Sequence, residues 1–237
     1  MNVQPKKKQQ VLGKFITLEG GEGVGKTTQI KMLVERLSKE HGIHIVTSRE
    51  PGGTPGAEAV RHVLLNKAAL ETFGPKMEAI LLSAARNDHV EQFIRPNIHA
   101  GKSVLVDRFM DSTRVYQGAT GKIPAQFLGS LERVAIAGMV PELTVILDLD
   151  PLVGLTRAAR RRSMGEDVDR FEKETLAVHQ QRRASFEKIA KAEPQRCVLV
   201  DASGTADEVH ERIWPRVAQL FGISKQGENN ENEAVVA

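Results

Sequence analysis

From Gly20 to Thr28 the chain reads GGEGVGKTT, and Gly20, Gly25, Lys26 and Thr27 fit the spacing G-x-x-x-x-G-K-[ST]. This loop constrains the fold more than any other stretch. Its glycines let the backbone wrap closely enough to aim N–H groups at phosphate oxygens, and the N-terminus of the following helix adds positive potential. Lys26 is then placed to reach the β- and γ-phosphates, and Thr27 to ligate Mg²⁺. The flanks agree with this use. The apolar segment KFITLEG precedes the loop, and after it Ile30, Leu33, Val34 and Leu37 recur at helical spacing until Gly42 supplies a C-cap. Gly20, Gly21, Glu22, Gly23, Val24, Gly25, Lys26, Thr27 and Thr28 therefore form a cradle for ATP or GTP with Mg²⁺.

Four further apolar segments end in turn or acidic residues: IHIVTSRE, SVLVDRF, LTVILDLD and CVLVDAS. Being rich in Val, Ile and Leu without polar alternation, all five read as buried strands of a parallel sheet. Helical patterns run from Met77 to Ile94, from Phe171 to Ala190, and through Val209, Ile213, Val217 and Leu220, where Pro215 predicts a kink. Strands alternating with helices predict an α/β fold with ligands at the carboxyl ends of the strands. Glu50, Asp107, Asp148 and Asp201 all fall at such ends. A single domain is expected over residues 11–222, with polar, aperiodic and disordered segments at 1–10 and 223–237.

Charge and composition exclude several classes. The net charge is +3, and Lys6, Lys7 and Lys8 of the N-terminal segment account for it, so no basic face for nucleic acid is expected on the folded part. One cysteine, Cys197, cannot make an internal disulfide and fits a reducing cytoplasm. No apolar run approaches the ~20 residues that span a bilayer. A cytoplasmic location without a membrane partner follows as the expectation.

Nucleotide binding alone does not separate kinases from switches. A GTPase would show N-K-x-D after a later strand, and the NKAA at Asn66 lacks the aspartate. Asp107, ending VLVD, is placed to hold Mg²⁺ directly or through water, and Arg108 beside it faces the same crevice. Farther on, RAARRRSMGEDVDRFE gathers Arg157, Arg160, Arg161, Arg162 and Arg170. Guanidinium groups on a closing loop can neutralise the charge that phosphoryl transfer spreads over the moving group.

Together these segments resemble the thymidylate kinases. LEGGEGVGKTT is similar to the family's phosphate loop, SREPGGTPGAEAVR to its REPGG segment, AARNDHV to its substrate helix and VDRFMDSTRVYQG to its DR segment. RAARRRSMGEDVDRFE resembles its arginine-bearing lid, about 154–172 here, and VDASG its segment near the adenine. The resemblance implies a three-layer P-loop nucleoside monophosphate kinase fold, a five-stranded parallel sheet flanked by helices, and γ-phosphate transfer from ATP with Mg²⁺ to dTMP. It also implies a homodimer. By the same resemblance Glu22 approaches the deoxyribose 3′-hydroxyl, Arg108 contacts the dTMP phosphate and Arg86 reads the thymine. Thr113, Tyr116 and Gln117 line base and sugar, with Tyr116 crowding a 2′-hydroxyl. Glu50 lies near the metal and phosphates, while Arg49 and Pro51 shape the pocket wall. Gly23 stands where eukaryotic-type members carry a loop arginine, so the lid supplies the catalytic one, with Arg157 and Arg161 the first choices. Leu82 departs from the pattern, taking a position commonly held by an aromatic residue that stacks on thymine. Two alternatives remain at this stage: a kinase of another nucleoside monophosphate or deoxynucleoside, and a nucleotide-dependent interaction protein.

Overall fold

The computed structural model describes residues 12–65, 74–162 and 174–223. The terminal segments expected to be disordered lie outside the described residues, apart from Ile223. That residue packs against the core and its N–H donates to the carbonyl of Ala218, so the fold reaches one residue beyond the expected boundary.

The strands are β1 (Phe15–Gly20), β2 (Ile45–Arg49), β3 (Ser103–Asp107), β4 (Leu143–Asp148) and β5 (Cys197–Asp201), one from each apolar segment. They form one parallel sheet in the order β2-β3-β1-β4-β5, so the central β1 delivers the glycine loop between the carboxyl ends of β3 and β4. The helices are α1 (Lys26–His41), α2 (Pro55–Leu65), α3 (Pro75–His89), α4 (Arg95–His99), α5 (Met110–Thr113), α6 (Ala125–Ile136), α7 (Pro151–Arg162), α8 (Leu176–Ala192) and α9 (Ala206–Phe221). Wide π-type turns continue α3 through Val90–Ile94 and α5 through Arg114–Thr120.

Gly42 caps α1 in the left-handed conformation with φ 64°, as its place after the last apolar repeat predicts. Helix α9 opens on a reciprocal Thr205–Glu208 capping box and runs on through Pro215. Two expected helix bounds need correction. The helix expected from Phe171 begins at Leu176, and the residues before Glu174 lie outside the described set. The long helix expected over Met77–Ile94 starts at Pro75 and gives way to the wider turn after His89. Residues 154–162 of the expected lid are helical, the body of α7, and the rest of the lid lies outside the described residues.

Alternation along β1 sets the two faces of the sheet. Ile16 and Leu18 join Leu33 and Leu37 of α1 and Val209, Ile213 and Val217 of α9 in one core layer. Phe15 points the other way, into a cluster with Val104, Val106, Ile94, Ile98, Phe109 and Met110. Thr17 and Glu19 share that second face and are fully buried, which is costly for polar groups unless they are bonded. Both are. Thr17 bonds Thr144 on β4 at 2.8 Å, and Thr144 in turn accepts from Arg196, which grips Asp111 through both nitrogens at 2.7 and 3.0 Å. Arg114 extends this chain from Asp111 to Glu132 and Glu193, tying α5, α6 and the α8–β5 connection beneath the loop.

Candidate active site

The loop turns through Gly20 (φ 131°), Gly23 (φ 68°) and Gly25 (φ 99°), conformations that L side chains rarely adopt. Val24 is buried in the core and anchors the loop's middle. Gly25 is the N-cap of α1, so the helix's first amides face the loop, with Thr27 and Thr28 exposed in the first turn. Lys26 is buried, and its Nζ donates to the carbonyls of Gly21 (3.0 Å) and Gly20 (3.4 Å). Burial, then the nearby Arg108, lowers its pKa, against the pull of Asp107, Glu22 and Glu19.

On its other side the loop meets the root of α7. A Cβ at Gly23 would lie 1.9 Å from the carbonyl oxygen of Gly154, and a Cβ at Gly154 would lie 2.3 Å from that of Glu22. No side chain fits at position 23 while α7 sits there. The charge for the transferring group is therefore not supplied from that position.

Glu22, Arg108 and Tyr116 converge as one cluster. Arg108 Nη2 donates to Glu22 Oε1 at 2.8 Å, Tyr116 Oη donates to the same oxygen at 2.7 Å, and Arg108 Nη1 donates to Tyr116 Oη at 3.2 Å. Arg108 also reaches the Gly20 carbonyl and Ser112 Oγ. It is held at φ 66°, a left-handed conformation costing a non-glycine residue about 1–2 kcal/mol. The turn that imposes it is fixed by Glu19, which accepts from the Phe109 and Ser112 amides (2.8 and 3.1 Å) and from Ser112 Oγ (2.6 Å). Burial and then Asp111 push the Glu19 carboxyl up to about 7. For Glu22 the balance runs the other way. Burial would raise its pKa, but Arg108, Lys26, the Tyr116 hydroxyl and Arg182 together bring it down to about 2. Arg182, from α8, lies over the Tyr116 ring at 4.3 Å from its centre.

A second cluster lines the α3 side. The three kinds of guanidinium nitrogen on Arg86 donate to Glu50 Oε2 (Nε, 2.7 Å), Thr113 Oγ1 (Nη1, 3.0 Å) and the Phe109 carbonyl (Nη2, 3.0 Å). Glu50, expected beside metal and phosphates, instead has its second oxygen 3.0 Å from His89 Nδ1, with His89 Nε2 2.8 Å from Ser48 Oγ. Both carboxylate oxygens are thus engaged inside the protein, one of them by Arg86. Leu82 is half-buried on α3, and Gln117 is buried with its amide 3.4 Å from Glu78. Pro51 lends its carbonyl to Arg61, and Arg49 is exposed and pairs with Glu58 at 3.1 Å.

Asp107 ends β3, and its Oδ1 is buried with no hydrogen-bond partner among the described residues. An orphaned carboxylate oxygen at this edge fits an Mg²⁺ site, since that ion takes one or two protein donors, substrate phosphates and waters. Thr27 is the second donor of the expected pair. Arg157 is half-buried on α7, and the Arg161 side chain lies outside the described residues. Asp148 is bound through both oxygens by Arg183 at 2.6 and 2.7 Å, whereas Asp201 pairs locally with Ser203.

Glu19 and Arg182 went unnoticed in the sequence. An acidic residue closing an apolar strand next to the glycine loop was a usable signal for Glu19. Arg182 had none, because an arginine inside a helical pattern reads as a solvated face.

The thymidylate kinase family model matches residues 18–213. The chain belongs to the thymidylate kinase family. It is 48% identical over 207 residues to the thymidylate kinase of Bradyrhizobium sp. (strain ORS 278), covering 87% of this chain and 90% of that protein. To the thymidylate kinase of Bartonella quintana (strain Toulouse) it is 49% identical over 201 residues, covering 85% and 93%. The crystal structure of thymidylate kinase from Ehrlichia chaffeensis superposes with a TM-score of 0.68 at 30% identity, covering 86% of this chain and 98% of that one. Members of this family are phosphotransferases of the P-loop nucleoside monophosphate kinase fold, and the sheet order and loop described above are the corresponding parts of this chain.

Proposed function

We propose that this thymidylate kinase family member transfers the γ-phosphoryl group of ATP to dTMP, giving ADP and dTDP. The observation that carries the reading is the Glu22–Arg108–Tyr116 cluster beside the Lys26 loop. An anion-binding guanidinium then stands directly beside the loop that cradles the nucleotide. A phosphate oxygen of dTMP attacks the γ-phosphorus in line as the bond to the β-phosphate oxygen breaks, and no covalent enzyme intermediate is required.

Each residue has a role in that scheme. Lys26 and the loop amides hold the β- and γ-phosphates. Arg108 orients the acceptor phosphate, Glu22 takes the 3′-hydroxyl, and Tyr116 walls the sugar. Arg86, held by Glu50, presents its remaining N–H groups to the base, with Thr113 and Gln117 nearby. Arg157 and Arg161 of the lid segment neutralise the moving group. Asp107 and Thr27 would hold Mg²⁺, which supplies charge neutralisation at the phosphate oxygens when bound.

Two features bear on the setting. Val63 on α2, Met77 and Ile80 on α3, and Val134 on α6 are exposed apolar residues, and α3 packs against both α2 and α6, which supports a homodimer through this layer. Among the described residues no helix is long and apolar enough to cross a membrane, in keeping with a cytoplasmic enzyme. Leu82 favours a second reading, another deoxynucleoside monophosphate as the preferred acceptor, because a leucine does not stack on thymine as an aromatic ring does. Turnover of dTMP, dUMP, dCMP, dGMP and thymidine with ATP and Mg²⁺ decides between them. The highest kcat/KM is expected with dTMP, and a higher value with any other acceptor replaces the first reading by the second.

A further inference from the structure

Helix α8 buries His179, Arg182, Phe186 and Ala190 along one stripe. Helical spacing reserves such positions for apolar side chains, and Arg182 is only 2% exposed. A buried guanidinium is costly to desolvate, and a methionine or leucine would fill the space at lower cost. The charge therefore needs a structural reason. Among its partners is Glu174, at 3.0 Å. Its guanidinium carbon lies 4.3 Å from the centre of the Tyr116 ring, well within the range of a cation–π contact, which is strongest where water is excluded.

Tyr116 is thus held at its hydroxyl and over its ring, where Arg182 at 4.3 Å is nearer than Arg108 at 5.2 Å. Glu22 and Arg108 hold its hydroxyl, and Arg182 makes the closer contact with its ring. The ring belongs to the wide turn Arg114–Thr120, whose backbone is less regular than an α-helix, so the side chain depends on such contacts for its position. We infer that Arg182 is a positioning residue for acceptor specificity: it clamps the Tyr116 ring against the sugar site and so sharpens rejection of acceptors that carry a 2′-hydroxyl. The inference rests on the assignment of the Glu22–Arg108–Tyr116 cleft to the dTMP sugar and phosphate.

The test compares kcat/KM for dTMP with that for 5-methyluridine 5′-monophosphate, which differs only by the 2′-hydroxyl. Arg182→Met keeps the stem and removes the charge, and the dTMP preference should fall on the order of tenfold, the scale of a desolvated cation–π contact. In the Tyr116→Leu background the ring is absent, and Arg182→Met should leave the ratio where it is. An unchanged ratio in Arg182→Met, or an equal fall in both backgrounds, overturns the clamp, as does an equal loss on both acceptors. Should Arg182→Met not fold, Arg182→Lys gives the same comparison, since it keeps charge but loses the planar stack; an unchanged ratio there also overturns it. Wild-type enzyme that fails to prefer dTMP over the 2′-hydroxy analogue overturns the sugar-site assignment itself, a result separable from failure of the variant.

Discussion

Glu50→Gln separates two physical roles that one carboxylate could play. Its side chain and that of Arg86 are each 4% exposed and meet at 2.7 Å, and His89, fully buried, approaches the other oxygen. Glutamine keeps the volume and one acceptor but leaves the guanidinium buried without its counter-charge. Breaking a buried ion pair in this way costs about 3–5 kcal/mol, and the retained acceptor places this case near the lower end. At about 2–4 °C per kcal/mol for a domain of this size, thermal unfolding should move down by roughly 6–12 °C. Circular dichroism melts of wild type and variant, with dTMP kinetics alongside, give the answer. Adding Arg86→Met to Glu50→Gln should recover much of the lost stability, because the stranded charge is then gone. A carboxylate that served the metal or phosphates would behave oppositely. Tm within about 2 °C of wild type, with kcat collapsed and partly restored by excess Mg²⁺, would refute the orienting role.

Lys26→Ala should lower transfer by at least on the order of 100-fold, as loss of a preorganised charge on the moving group does, and near-normal turnover would contradict the cradle. The same variant should melt no lower than wild type, since burial already works against the ammonium. Arg157→Ala should depress kcat more than dTMP binding; a change confined to KM would make that residue a binding group only. At Glu22 the folded carboxyl titrates near 2 against an ordinary 4.5, so its stabilising contribution is present above about pH 4.5 and is lost as pH falls through about 2. Urea unfolding of wild type and Glu22→Gln across that window should converge as the pH drops, and parallel curves would dismiss the Arg108–Glu22 pairing as its source.

The sheet was legible because each strand is a near-continuous run of β-branched and aliphatic residues, and α1 because its apolar repeat ends at a glycine. Helices α2 and α6 had weaker signals. Pro55 begins α2 and Pro124 precedes α6, but their buried faces rest on small or sparse residues, Ala57 and Leu64 in one and Leu128, Ala135 and Ile136 in the other. The glycine loop, Arg108 and Tyr116 could be placed from their motifs, and the structure brings them together. What sequence order could not supply was pairing across distance. Glu50 meets Arg86 across 36 residues and Glu22 meets Tyr116 across 94, so which carboxylate serves a ligand and which serves a neighbour depends on the fold. The arginine-rich run carries a second local signal. The local backbone preference of Leu, Ala and Arg favours a helix, and its first part, through Arg162, is the body of α7.

Gly23 and Gly154 touch backbone to backbone, with a hypothetical methyl on either meeting an oxygen of the other segment at 1.9 or 2.3 Å. Neither position is free to drift alone. A side chain at the first site would require the helix to shift away first. The contact ties two distant positions together: the identity of a residue more than a hundred positions downstream becomes a precondition for the shape of the loop.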